Sequence, residues 1–156
     1  MRCKERLKKY LREHNVSFET MIHPEAYTAQ EVAAAQHVSG HQLAKVVMVW
    51  ADERMTMLVL PASARVDFRK AARELGAKKV RLATETEFSQ HFDDCQVGAM
   101  PPFGNLYELP VYVDRALTEH DEIVFRVGTY TETMKVAYAD FERLVQPQVG
   151  EFGLYP

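Results

Sequence analysis

Apolar positions recur along this chain with two periods, and the switches between them mark the elements. From Arg2 to Glu13, Cys3, Leu7, Tyr10 and Leu11 fall on one stripe while Lys4, Lys8 and Arg12 share another, which predicts an amphipathic first helix. Val16 to Ile22 alternates as a short strand. Thr28 opens a second helix, with Glu31 completing a capping box and Gly40 ending it. Its Val32 and the run Ala33, Ala34 and Ala35 suit close approach to a sheet. Leu43 to Ala51 and Met55 to Leu60 form the strongest strand signal, a hairpin turned by Asp52, Glu53 and Arg54 and closed by Pro61, expected at the centre of the sheet.

Beyond the hairpin, Asp67 is placed to cap a basic helix running through Leu75 to Gly76. A short strand near Val80 to Ala83 follows, then a second capping box, Thr84 with Glu87, for a helix ending near Phe92. Strands are expected near Leu109 to Val113, Ile123 to Val127 and Thr133 to Val136, with a last helix from Asp140 to Val145 that Pro147 stops. Strands and helices without regular βαβ alternation, and without a repeat or linker, predict one α+β domain over residues 1–156: a mixed sheet flanked by helices.

Composition narrows the class without naming a function. The chain has 156 residues, 47% hydrophobic and 26% charged, which fits one globular domain and excludes a disordered or collagen-like chain. It shows no apolar run long enough to span a bilayer and no apolar stretch of a secretory signal, so no membrane partner is expected. Cys3 and Cys95 make neither a disulfide framework nor a zinc-finger spacing, so a reducing cytoplasm is the expected compartment. The net charge of −3 excludes a uniformly basic coat. Its distribution is uneven. Residues 1–14 carry six Lys and Arg against two acidic residues, residues 62–81 seven against two, and residues 82–122 one against nine. Such asymmetry orients a polyanion if the basic segments meet on one side, and otherwise only solvates helix faces.

Three segments carry candidate chemistry. Lys45 stands in the apolar run Leu43-Ala44-Lys45-Val46-Val47-Met48-Val49-Trp50 and shares a strand face with Leu43, Val47 and Val49. Such a lysine either lays its stem on the sheet and reaches water, or stands as a fixed cation that holds an anionic group. The loop Gly98-Ala99-Met100-Pro101-Pro102-Phe103-Gly104 is either a stiff pocket wall exposing an aromatic ring or a tight connection. Gly128-Thr129-Tyr130-Thr131 follows a strand, where free amides stabilise an oxyanion or a glycine merely marks a bulge. His37 and His41 have helical spacing, but Gly40 separates them, and no metal site or cofactor fingerprint is found.

In their order, His23-Pro24 with Tyr27-Thr28-Ala29-Gln30-Glu31-Val32-Ala33, Leu43-Ala44-Lys45-Val46-Val47, Val97 to Gly104 and Gly128 to Thr131 resemble the YbaK/prolyl-tRNA-synthetase-associated family of trans-editing aminoacyl-tRNA deacylases. The resemblance spans about residues 5 to 146. It implies a strongly twisted, partly barrel-like mixed sheet and hydrolysis of the ester joining a wrong amino acid to the terminal ribose of tRNA, with no cofactor. It implies catalytic roles for Lys45, Gly128, Thr129 and Tyr130, and a substrate pocket shaped by Tyr27, Thr28, Gly98, Pro101, Pro102, Phe103, Gly104 and Thr131. Lys4, Lys8, Arg12, Arg69, Lys70 and Arg73 are the candidate contacts to tRNA phosphates, with a synthetase or an elongation factor as a further partner. Many family members read Gly-Thr-His-Thr where this chain has Tyr130. A phenol, with an ordinary pKa of about 10, is a poor base at neutral pH. The alternative implied is therefore a binding module for aminoacyl-tRNA ends, an amino acid or a synthetase.

Overall fold

The hairpin predicted from alternation is the middle of the molecule. In a computed structural model that describes residues 2–23 and 39–156, β2 (Ala44–Ala51) pairs antiparallel with β3 (Arg54–Pro61) from end to end. Asp52 takes a positive φ in the turn, and its carboxylate accepts from the N–H groups of Lys78 and Lys79. Strand β5 (Val80–Leu82) adds to the C-terminal half of β2. On the other side β6 (Val111–Asp114) pairs parallel with β3, and β9 (Gln148–Gly150) pairs parallel with β6, giving the order β5-β2-β3-β6-β9.

A second sheet is antiparallel, with β8 (Glu132–Ala137) between β1 (Phe18–Ile22) and β7 (Glu122–Arg126). A single parallel bridge, Leu43 to Val124, joins it to the start of β2. Two short strands, β4 (Arg65–Val66) and β10 (Gly153–Leu154), form a separate ribbon.

Alternation along β2 and β3 sorts their side chains onto two faces, each with its own core. Met48, Met57 and Val59 belong to the larger core, together with Leu7 and Leu11 of α1 (Cys3–Glu13) and Tyr138, Phe141 and Val145 of the C-terminal helix over 138–145. Val49, Leu58 and Leu60 face the other way, toward Ala71 of α2 (Phe68–Leu75) and Phe152. The Asp67 carboxylate caps α2 through the N–H groups of Arg69 and Lys70, and Gly76 ends it at φ +63°. The Thr84–Glu87 capping box forms at α3 (Glu85–Ser89), which is shorter than expected. The last helix, α4 (Tyr138–Val145), starts two residues earlier than expected.

Asp114 ties down the C-terminal segment. Its buried carboxylate accepts from the N–H groups of Phe152 and Gly153 and from the Tyr155 hydroxyl, so the buried charge is fully solvated by the protein. Burial and the Asp114 charge push the Tyr155 phenol well above its ordinary pKa.

One expectation fails, and one alternative left open by the sequence is decided. Cys3 and Cys95, 92 positions apart in sequence, are joined as a disulfide with Cα atoms 5.2 Å apart. Burial of Leu7 and Leu11 docks α1, and the Cys3 N–H donates to the Asp94 carbonyl at 3.1 Å, which brings the two sulfurs together. The two basic segments, in turn, do not meet: α1 covers the larger core and α2 the smaller, on opposite faces of the central sheet. The helix expected from Thr28 to Gly40, with Tyr27, Thr28 and His37, falls almost wholly outside the described residues.

Candidate active site

Gly128 follows β7 at φ +93°, and its neighbours explain why no other residue stands there. A Cβ on Gly128 would lie 2.9 Å from the Cys3 sulfur and 3.0 Å from Cys3 Cβ. The glycine therefore serves packing as well as the turn. Its N–H donates to the Ala99 carbonyl at 2.7 Å, and its own carbonyl accepts from the Gln96 N–H at 2.9 Å. The Tyr130 N–H donates to Gln96 Oε1 at 2.8 Å, and the Tyr130 hydroxyl donates to the Val97 carbonyl. Segments 96–99 and 128–130 are thus laced together.

This lacing corrects the idea of a run of free amides. The N–H groups of Gly128 and Tyr130 are committed, and that of Thr131 leans on Thr129 Oγ1 at 3.4 Å. Among the described residues, only the Thr129 N–H in this turn has no hydrogen-bond acceptor. The Thr129 and Thr131 hydroxyls lie 3.5 Å apart, and the His23 N–H donates to the Thr131 carbonyl at 2.8 Å.

Lys45 sits directly across from Leu60, on the face of the smaller core, and is half-buried. Burial chiefly, and the Arg65 charge next, lower its pKa below the ordinary lysine value of 10.5. No carboxylate pairs with it among the described residues. Its small cavity is lined by Leu43, Ala44, Val46, Met100 and Arg126. Met100 follows Ala99, the acceptor of the Gly128 N–H, so Lys45 and the glycine turn flank the same loop.

Arg126 escaped the sequence reading. Its guanidinium donates to the Gly98 carbonyl at 3.0 Å and lies 5.9 Å from the centre of the Tyr130 ring. The signal was present, since Arg126 interrupts an apolar strand much as Lys45 does. Gln96, which laces the turn, carried no such signal.

The 98–104 loop divides in two. Gly98, exposed at φ +81°, and Met100 reach the site. Pro101 and Pro102 are buried. Phe103 is no exposed pocket wall: it is fully buried, edge-on to Phe125 and Phe141 with centroids 5.6 Å away in each pair. Gly104 is equally internal, because a Cβ there would come within 2.7 Å of Val111 Cγ2. These two residues serve the core, and apolar packing outweighs the loop's appearance in sequence.

Beside the glycine turn opens a cleft of about 580 Å³, whose walls include Cys3, Cys95, Gly128, Thr129 and Thr131. Its charged lining is mixed, with Arg2 and Lys4 against Glu5, Asp93, Asp94 and Glu132. The donor atoms of Cys3, Asp94 and Cys95 lie within 4.8 Å of one another, but the two sulfurs are bonded to each other and do not serve as metal ligands in this state.

Of the phosphate candidates, Lys4 is paired with Glu132 at 2.8 Å, and the Arg12 guanidinium lies over the Phe18 ring at 5.6 Å. Lys8 is half-buried on α1. Arg69, Lys70 and Arg73 are exposed on α2, on the same face of the sheet as Lys45. Among the described residues no helix is long and apolar enough to cross a membrane.

Comparison with known proteins gives this geometry a context. The Ser/Thr-tRNA deacylase ProXp-y of Escherichia coli K12 is 30% identical over 97 residues, covering 62% of this chain and 58% of that protein. The chain therefore spans somewhat under two thirds of that curated relative. A proline–tRNA ligase of Shouchella clausii is 30% identical over 100 residues, covering 64% of this chain and 17% of the ligase. A solved structure described as a proposed trans-editing enzyme for prolyl-tRNA synthetase superposes with a TM-score of 0.83 at 23% identity, covering 97% of both chains, which establishes the shared fold. The model of the aminoacyl-tRNA editing domain matches residues 23–144, a stretch that holds Lys45, the 98–104 loop and the glycine turn, and the chain belongs to that family.

Proposed function

We propose that this chain hydrolyses the ester linking a mismatched amino acid to the 3′-terminal ribose of tRNA, acting in trans in the cytoplasm. The observation that carries the reading is Lys45: a half-buried cation on β2, with no carboxylate partner among the described residues, in a cavity walled by Met100 of the loop that is hydrogen-bonded to Gly128. In this reading the ammonium group holds an anionic part of the substrate, and the Thr129 N–H polarises the scissile carbonyl. Water attacks with help from the neighbouring ribose hydroxyl, so no protein nucleophile is needed. Positioning and polarisation supply the acceleration.

Selection rests on pocket size, with Tyr27, Thr28, Gly98, Pro101, Pro102 and Thr131 as the proposed lining. One methylene discriminates by only about 1–3 kcal/mol, so exclusion of the larger correct amino acid must do most of the sorting. Arg69, Lys70 and Arg73 are the preferred phosphate contacts because they share the face of Lys45, and a synthetase or elongation factor is the proposed delivery partner. The test is a panel of mischarged tRNAs. Release above buffer hydrolysis for at least one pair, reduced more than about tenfold by Lys45→Ala, is the expected result. A flat panel overturns the reading.

One observation favours a second reading, that of a binding module. The Tyr130 hydroxyl donates to the Val97 carbonyl and braces the loop, so it is not placed as a base. Turnover that appears only in the Tyr130→His variant selects this alternative.

A further inference from the structure

A disulfide is unusual company for a tRNA-editing fold, because steadily reducing compartments keep thiols apart unless the bond is transient and regulatory. Here its position gives it leverage. Both cysteines line the open cleft; Cys3 is the first residue of α1 and is buried, whereas Cys95 is only half-buried. Gln96, the next residue, holds both the Gly128 carbonyl and the Tyr130 N–H. On the other side, Gly128 rests against Cys3 so closely that a single added carbon would collide with the sulfur.

We infer that Cys3–Cys95 is a thiol–disulfide exchange site whose redox state sets the geometry of the Thr129 turn. When the bond is cut, the two sulfurs must part to van der Waals separation, and Gly128 leaves them no slack on one side. The displacement passes to the 95–99 segment and through its hydrogen bonds to the Thr129 amide, the one amide of the turn with no acceptor among the described residues.

The reductant is a dithiol. Its thiolate attacks the sulfur of Cys95, the less buried of the two, the Cys3–Cys95 bond breaks, and Cys3 leaves as a thiolate that takes a proton. The second thiol of the reagent then displaces Cys95, which is protonated in turn, and the reagent departs as a disulfide. Two electrons and two protons have passed to the protein. Asp93 and Asp94 beside Cys95 repel an approaching thiolate and disfavour thiolate in the product, so exchange is slow without a catalyst.

The activity part of this inference rests on the proposed deacylase reading, so the experiment has two independent arms. Full-length protein is prepared oxidised and dithiol-reduced, with thiols counted and helical content checked, and compared with Cys95→Ser. The first arm measures deacylation of the best mischarged tRNA. The expected result is a loss of roughly tenfold or more on reduction, since misplacing a reacting geometry by about 1 Å can cost a hundredfold. Cys95→Ser should match the reduced protein and ignore dithiol. The second arm measures amide exchange at Gly128 and Tyr130, whose N–H groups are bonded to Ala99 and Gln96 and should exchange faster on reduction.

Equal rates and equal exchange in both states overturn the inference and leave the deacylase reading intact. A dithiol effect that persists in Cys95→Ser overturns it as well, and so does stoichiometric zinc retained by the reduced protein, which would make the cluster a metal site. If neither form deacylates any substrate, the deacylase reading fails, and the exchange arm alone upholds or overturns the coupling.

Discussion

The two faces of the central sheet are built from adjacent positions of the same two strands and are put to different uses. One carries the larger core, where Phe103 meets the rings of Phe125 and Phe141 beneath α1 and α4. The other carries a smaller core under α2 and leaves room at its margin for Lys45. The difference shows that the larger face holds the fold together while the smaller one presents charge. It also divides the basic residues, placing Arg69, Lys70 and Arg73 on the side of the candidate catalytic lysine and most of α1 on the other.

Truncating Phe103 tests the larger face most severely. Phe103→Ala should lower unfolding stability by about 3–5 kcal/mol, measured by urea denaturation, because it empties the centre of an aromatic cluster. A loss below about 1 kcal/mol would return Phe103 to the pocket wall expected from sequence. Gly104→Ala should cost about 1–3 kcal/mol by overpacking against Val111 in the same assay.

The smaller face is sharpened by titration. Because the folded-state pKa of Lys45 lies below 10.5, its charge disfavours the fold at lower pH, and this penalty fades as pH rises through the folded value toward the unfolded one. A reaction that needs the ammonium form should therefore lose rate on the alkaline side, below the ordinary lysine value, once buffer hydrolysis is subtracted. Lys45→Arg should remove that limb if any activity survives, since guanidinium does not titrate there. A limb unchanged in the arginine variant would assign it to another group.

The mildest effects should separate the two helices. Replacing Arg69, Lys70 and Arg73 with alanine should weaken tRNA binding and reduce its salt slope by about one for each phosphate no longer neutralised. Replacing Lys8 and Arg12 should change the slope by less. Equal effects from both sets would mean that the tRNA wraps across both faces.

Much of the fold was legible because its signals are local. The caps at Asp67 and at Thr84–Glu87 involve residues within three positions of one another, and the β2–β3 hairpin needs only alternation and a polar turn. Lys45 stood out for the same reason, as a charge among strand neighbours, and Arg126 carries the same local signal at the end of β7. The short strands β4, β9 and β10 were not legible, because two or three residues carry too little periodicity. β6 was expected as a strand, but its parallel pairing with β3 and that of β9 with β6 were not legible, because parallel partners lie far apart in sequence. Gln96 was not legible either, since its role depends on a carbonyl and an amide more than 30 residues away.

By itself, then, the amino-acid order determined where the longer described helices and strands form, that they make an α+β fold, and which ordered motifs tie the chain to the editing family, because each of these follows from near neighbours or from a pattern along the chain. Only the tertiary structure decided that Phe103 and Gly104 turn inward, that Cys3 meets Cys95, that a single amide of the glycine turn has no acceptor among the described residues and that the basic helices lie on opposite faces. Those outcomes depend on competition for buried space between segments up to 92 positions apart, and neither a residue's type nor its neighbours determine which segment will fill that space.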